Sequence, residues 1–425
     1  SATIAIRPCG MSNAGISTAA RGTRTLGKYT LAIRCWLPTS DDDPLDAARR
    51  DLAEAATPGF AADIDAHLSE WTKLWRACDV RIEGDPALQR ALRFAIYHLL
   101  IAANPADPRT SIGARSLTGS GYRGHVFWDT EIFVLPFYTL TVPAAARALL
   151  MYRHFTLPAA RRRAATIGCE GALFAWESAD TGEDVTPATV VFPDGTLVPV
   201  LTGQLAHHIS ADVAYACWQY WRATGDDAFA LEAGAELIVE TARFWASRVR
   251  RGTDGLHHID GVIGPDEYHL PVDDNAYTNG MARWNLTAAV RTAQILRECW
   301  PARWAALSAQ WTLGSNEVAY WEHIAASMYS GFDAHTGLIE QFRGYFGLED
   351  IDPATLDLRT APVDVVLGRD RVQRSQLIKQ PDVVMLLHLL WDEFTPEVRE
   401  RNFRYYEARC VQGSSLSPAI HALVA

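Results

Sequence analysis

The chain has 425 residues, 48% of them hydrophobic, with a formal net charge of -11 and mean hydropathy near zero, which suits a soluble globular protein with one large core or two domains. The acidic balance argues against nucleic acid or an anionic membrane as partner, because both draw on an excess of Lys and Arg. Seven scattered cysteines (Cys9, Cys35, Cys78, Cys169, Cys217, Cys299, Cys410) without a C-x-x-C pair imply reduced thiols and no structural metal, and the absence of a long apolar run or an N-terminal basic-then-apolar segment points to a cytoplasmic protein.

Residues 1–40 alternate weakly, as in Lys28-Tyr29-Thr30-Leu31-Ala32-Ile33-Arg34, and read as the last strands of a β domain; the acidic Ser40-Asp41-Asp42-Asp43-Pro44 marks its boundary. Residues 41–80 read as a helical linker and residues 81–425 as a helical domain. Helices are expected near 45–57 and 62–77. Asp85 then caps a helix with Pro86 at its first position, placing Leu88, Leu92, Ile96 and Leu99/Leu100 on one face. A helical stretch at 129–162 follows, and Ile209, Val213, Cys217 and Tyr220/Trp221 repeat the pattern up to Gly225. Further stretches fall at 227–250, 281–299, 316–328, 382–408 and 417–425. The start carries no Met and the chain stops at Ala425 within an apolar helical pattern, so both ends read as cut, the helical domain being truncated at its C-terminal end. Long polar connections between helices suggest a barrel of helix pairs with functional loops gathered at one end.

Five segments carry groups suited to chemistry. The chain's 14 Trp fit either sugar stacking or a large aromatic core. In Gly121-Tyr122-Arg123-Gly124-His125-Val126-Phe127-Trp128-Asp129-Thr130-Glu131, Trp128 can stack on a pyranose while Asp129 accepts from vicinal hydroxyls; a helix start capped by Asp129 or Thr130 is the competing reading. Ala175-Trp176-Glu177-Ser178-Ala179-Asp180-Thr181-Gly182-Glu183-Asp184 packs one Trp and four carboxylates into ten residues, as either a solvated loop or a polyol-binding one. Gly264-Pro265-Asp266-Glu267-Tyr268-His269 offers a carboxyl in a turn-rich setting, as glycosyl transfer requires of a general acid; Glu267 is best placed and Asp266 is its rival. Gln373 to Asp382 includes Lys379 and Gln380. Finally, Gln412-Gly413-Ser414-Ser415 opens a helix, where N–H groups, hydroxyls and the helix dipole suit phosphate, or where a serine is an ordinary N-cap.

Together these segments resemble the inverting disaccharide phosphorylases of glycoside hydrolase family sixty-five, the maltose, trehalose and kojibiose phosphorylases, from about residue 40 to 425. Four motifs in order carry the likeness: Gly124 to Glu131, Trp176 to Gly182, Gly264 to His269, and Ile378-Lys379-Gln380. The resemblance implies a mainly α fold, an (α/α)6 barrel preceded here by the remnant of an N-terminal β-sandwich. It implies Glu267 as general acid, with Trp128, Asp129, Lys379 and Gln380 holding the transferred glucosyl ring and Trp176 and Glu177 in the substrate site. Ser414 and Ser415 would help bind phosphate beside Gln412 and Gly413. Phosphate would then attack the anomeric carbon as Glu267 protonates the leaving oxygen, giving β-glucose 1-phosphate and a free acceptor sugar. Inorganic phosphate is the co-substrate, no other cofactor is implied, and the partners are a small disaccharide and phosphate, with a homodimer left open.

This chain departs from the family pattern at Gln412, where a histidine is expected, at Leu270 and Pro271, where polar residues are expected, and at Gly280, where a larger side chain is; the resemblance implies that the last three lie near the acceptor subsite. Hydrolysis of an α-glucoside is the alternative. It needs a base to activate water; the carboxylate nearest the late loop, Glu407, is expected on the preceding helix, which weakens this reading, but a base could come from another loop, such as Glu183 or Asp273. A non-catalytic sugar-binding relative is a third reading, against which the complete Gly264 to His269 turn argues.

Overall fold

A computed structural model describes residues 3–6, 15–22, 29–36, 53, 60–117, 119, 121–191, 195–358 and 361–425. The chain divides into two compact units, Ser1–Leu100 and Ile101–Ala425. In the first, β1 (Thr3–Ile6), β2 (Gly15–Gly22) and β3 (Tyr29–Trp36) form an antiparallel sheet in that order, with Thr3 opposite Arg21 and Gly22 opposite Tyr29. Helix α1 (Phe60–Cys78) and helix α2 (Pro86–Ala102) follow. Asp85 Oδ1 accepts from the N–H groups of Ala87 and Leu88, both at 2.9 Å, so the cap read from Asp85-Pro86 forms. Except for Ala53, the helix expected at 45–57 lies outside the described residues.

The second unit is mainly helical. A π turn (Thr130–Val134) leads into α3 (Leu135–Thr141), followed by α4 (Pro143–Phe155) and α5 (Leu157–Thr166). The expected single stretch at 129–162 is therefore broken, because Pro143 and Pro158 lack the N–H that would continue each preceding helix. Then come α6 (Ile209–Thr224), α7 (Ala235–Arg248), α8 (Ala276–Cys299), α9 (Pro301–Gln310) and α10 (Glu317–Ala326). The stretch expected at 382–408 is two helices, α11 (Asp382–Leu389) and α12 (Pro396–Glu407); the second restarts where the Thr395 side chain accepts from Val398 N. The last is α13 (Ser417–Val424).

Helices α3, α6, α8, α11 and α13 pack each on the next, and α4, α7, α10 and α12 cover them from outside. Burial follows this division: six of the eight residues of α11 are buried, against Asn402 and Tyr406 alone in α12. The alternation of inner and outer helices is that of an (α/α)6 barrel. Gly280, on α8, belongs to this packing, since a Cβ there would come within 2.6 Å of the Leu386 side chain on α11. Among the described residues no helix is long and apolar enough to cross a membrane.

One consequence of the topology positions the chemistry. The segments running into the inner helices end at Asp129 before the π turn, at His208 before α6, at Asn275 before α8, at Pro381 before α11 and at Leu416 before α13. Four of these five junctions carry one of the chemistry-bearing motifs. Residues of these four segments line one cavity, so the helix starts they lead into share one end of the barrel.

Candidate active site

The first two motifs are tied together by backbone. Val126 N donates to Ser178 O (2.9 Å) and Ser178 N to Val126 O (3.0 Å). Beneath them a buried ion pair sets the angle of the turn into α3: Arg153 Nε and Nη2 reach Glu131 Oε1 and Oε2, each at 2.7 Å, and Nη2 also donates to Phe127 O (3.2 Å). Trp128 is 1% exposed and packs edge-on against Phe133, His208 and Tyr277, so it is a core residue that also walls the site. Asp129 makes no capping hydrogen bond. Its carboxyl is raised from 3.8 to about 6, first by burial and further by the nearby Glu131 and Glu267 carboxylates.

The acidic loop divides its carboxylates among separate tasks. Glu177 Oε2 lies 2.8 Å from His125 Nδ1, and burial raises its pKa against the opposing pull of that hydrogen bond. Asp184 pairs with Arg163 and accepts from Thr186 N at 2.9 Å; Glu183 pairs with Arg162 at the surface. The loop is thus neither simply solvated nor wholly a polyol site.

In the turn before α8 the two rival carboxylates separate. Asp266 is buried and fully engaged: Oδ1 accepts from Lys379 N (2.9 Å), while Oδ2 lies 2.6 Å from His269 Nδ1 and accepts from Gln341 Nε2 at 3.2 Å. It clamps the Glu267 turn to the strand-like segment at 378–380. Glu267 is left to receive Lys379 Nζ at 3.0 Å on Oε1. For Lys379, burial opposes the charge and the Glu267 carboxylate favours it, with a net rise in pKa.

The late loop joins the same segment. Ile378 N donates to Arg409 O and Val411 N to Ile378 O, and Ser417 Oγ donates to Lys379 O at 3.1 Å. Gly413 lies so close that a Cβ would meet Tyr268 Oη at 2.9 Å and Lys379 Cγ at 3.3 Å. The helix begins at Ser417, two residues beyond Ser415, and Leu416 stands at the cap position, so neither Ser414 nor Ser415 is an N-cap. Ser414 Oγ instead accepts from Leu416 N at 3.2 Å.

These segments enclose a cavity of about 740 Å³. Trp128, Asp129, Trp176, Glu177, Glu267 and Lys379 line it, as does Ser415. Gln380, Gln412, Gly413 and Ser414 do not reach its wall; Gln380 is 5% exposed, and Gly413 supports Lys379 and Tyr268 from behind. Leu270 lines the cavity, whereas Pro271 and Gly280 do not. Among the carboxylates considered as bases for water, Glu183, Asp273 and Glu407 are all absent from the lining. Sequence reasoning missed Arg369, Asp364 and Thr202, and with them the strand pair Thr189–Val191 and Leu197–Pro199 that brings Val190 and Val198 to the cavity wall. No local pattern marks these residues. His125, also missed, does carry a signal, a titratable ring inside the glycine-bracketed motif.

The profile of the glycosyl hydrolase family 65 central catalytic domain matches residues 93–425. The chain belongs to this family. It is 46% identical over 385 residues to the kojibiose phosphorylase of Caldanaerobacter subterraneus subsp. tengcongensis, covering 89% of this chain and 49% of that protein. It is 40% identical over 400 residues to the 1,2-alpha-glucosylglycerol phosphorylase of Bacillus selenitireducens (90% and 50%) and 36% identical over 391 residues to the alpha,alpha-trehalose phosphorylase of Thermoanaerobacter brockii (91% and 48%). The chain spans about half the length of these curated relatives. A solved structure of a protein from the human microbiome matches it with a TM-score of 0.86 at 27% identity, over 99% of this chain and 61% of that one.

Proposed function

We propose that this family 65 chain carries the catalytic site of an inverting phosphorylase acting on an α-glucosyl disaccharide or a related glucoside, with Glu267 as general acid. The observation that carries the reading is a single cavity holding Trp128, Asp129, Glu267, Lys379 and Ser415 together. The glucosyl ring lies against Trp128, with its hydroxyls on Asp129 and Lys379. An oxygen of inorganic phosphate, held from the Ser415 loop, forms the new bond to the anomeric carbon. The bond to the acceptor oxygen breaks as that oxygen takes the Glu267 proton, yielding β-glucose 1-phosphate and the free acceptor. Proton transfer requires Lys379 to turn from Glu267 towards the sugar as the ring enters. Gln412, which stands where a histidine is expected, does not reach the cavity wall and brings no charge to phosphate.

Hydrolysis would require a carboxylate about 6.5–9.5 Å from the acid to activate water. Glu183, Asp273 and Glu407 do not line the cavity; of the carboxylates besides Glu267 that do, Asp129 is assigned to the sugar and Glu177 is paired with His125, which leaves Asp364 as the one to exclude as a base, whereas phosphate is already a nucleophile. The named activities of the relatives, on kojibiose, trehalose and glucosylglycerol, support the same choice.

The test is incubation with kojibiose, trehalose, nigerose and maltose, with and without phosphate, assaying glucose 1-phosphate and glucose separately. Glucose 1-phosphate formed only with phosphate, and lowered about 10²–10⁴-fold in Glu267→Gln, is the expected result. Equal release of glucose without phosphate would establish a hydrolase instead, and binding without turnover a non-catalytic relative.

A further inference from the structure

His208 does not line the cavity and has no part in the chemistry above, yet its setting is unlike that of a residue that only fills space. It is fully buried at the N-terminal end of α6, with Nδ1 2.7 Å from Asp212 Oδ2. The other Asp212 oxygen accepts the Tyr277 hydroxyl at 2.7 Å, so a buried carboxylate holds the imidazole and the phenol in fixed orientation. Nε2 has no hydrogen-bond partner among the described residues. Leaving a buried polar atom unpaired costs stability, a cost the imidazole carries while its Nδ1 is held by Asp212.

The locked ring meets three aromatic neighbours edge to face. Its centroid lies 4.8 Å from Trp128 at 78°, 6.0 Å from Trp176 at 81° and 5.5 Å from Tyr277 at 86°. Such contacts are directional, so a ring that cannot turn constrains the rings that rest on it. Trp128 and Trp176 come from different loops, and both wall the cavity.

We propose that His208 is a positioning residue. Held by Asp212 and Tyr277, its ring is the strut that sets the angles of Trp128 and Trp176, and through them the seat of the sugar relative to Glu267. The catalytic consequence rests on the function proposed above; the geometric content does not.

The two parts can be tested separately. His208→Asn keeps an N–H near the place of Nδ1, so Asp212 stays paired while the rest of the ring is lost; Tyr277→Phe removes one oxygen and loosens the lock. The protein is labelled with 5-fluorotryptophan, and the resonances of Trp128 and Trp176 are assigned with Trp128→Phe and Trp176→Phe. In both test variants those two resonances are expected to shift or broaden while the remaining tryptophans hold their positions. The KM for the disaccharide should rise about 10-fold or more, with the KM for phosphate unchanged. Wild-type shifts for Trp128 and Trp176 in both variants would overturn the proposal, and so would a common movement of all tryptophan resonances, which is the mark of general loosening. If the selective shifts occur in a protein that forms no glucose 1-phosphate, the positioning role stands and the phosphorylase reading falls.

Discussion

Replacing Asp129 by Asn should make the protein more stable and less active, and the stability gain should grow with pH. Burial and the neighbouring Glu131 and Glu267 carboxylates raise the Asp129 carboxyl from 3.8 to about 6. At about 1.4 kcal/mol per tenfold change in proton affinity, the ionised form is disfavoured in the folded state by on the order of 3 kcal/mol. The sign follows from which state holds the proton. Well below 3.8 the group is neutral both folded and unfolded and contributes nothing. Between there and about 6 the folded protein keeps a proton that the unfolded chain releases, so stability falls as pH rises. Above that the full penalty applies. Asp129→Asn, which never ionises, should exceed the wild type by about 1.6 kcal/mol near pH 5 and about 3 kcal/mol near pH 8. For a cooperative unit the size of Ile101–Ala425, the larger figure is a Tm difference of about 4 °C. Melting curves of both proteins from pH 5 to pH 8 measure it. A difference that stays flat with pH, or a variant no more stable than wild type at pH 8, would refute the reasoning. The same substitution removes a charged acceptor from the sugar site, so kcat/KM should fall about 10- to 100-fold.

Two further outcomes follow from the supports of the site. Glu131→Gln leaves the buried Arg153 guanidinium without its counter-charge and should cost about 3–5 kcal/mol, while Glu131→Leu with Arg153→Leu should cost less than either single change; urea midpoints at constant m decide this. Gly413→Ala drives a methyl against Tyr268 and Lys379 and should lower kcat/KM about 10-fold while changing Tm by only a few degrees, which steady-state kinetics beside a melting curve would show.

Much of the site was legible in local sequence. The Glu267 turn, the Trp128-Asp129 step and Lys379 each stand in a short run whose residue types suit the proposed chemistry, and Glu267, Trp128, Asp129 and Lys379 all line one cavity. The helix breaks at Pro143 and Pro396 were written in the chain as well, although periodicity alone read through them. Local pattern ranked Glu267 above Asp266 but could not show which of the two adjacent carboxylates reaches the cavity. Asp266 is held from within its own turn by His269 and from more than seventy residues away by Gln341 Nε2 and Lys379 N, whereas Glu267 meets only Lys379 Nζ among these and lines the cavity. The tertiary structure likewise decided that Gly280 serves helix packing and that Asp184 anchors Arg163. The strand pair Thr189–Val191 and Leu197–Pro199 reaches the cavity by the same route. Residue type and spacing along the chain determine which groups are available and which helices form, because propensity, capping and amphipathic period are local. Which groups meet depends on helices packing side by side, so that loops distant in sequence converge at one end of the barrel.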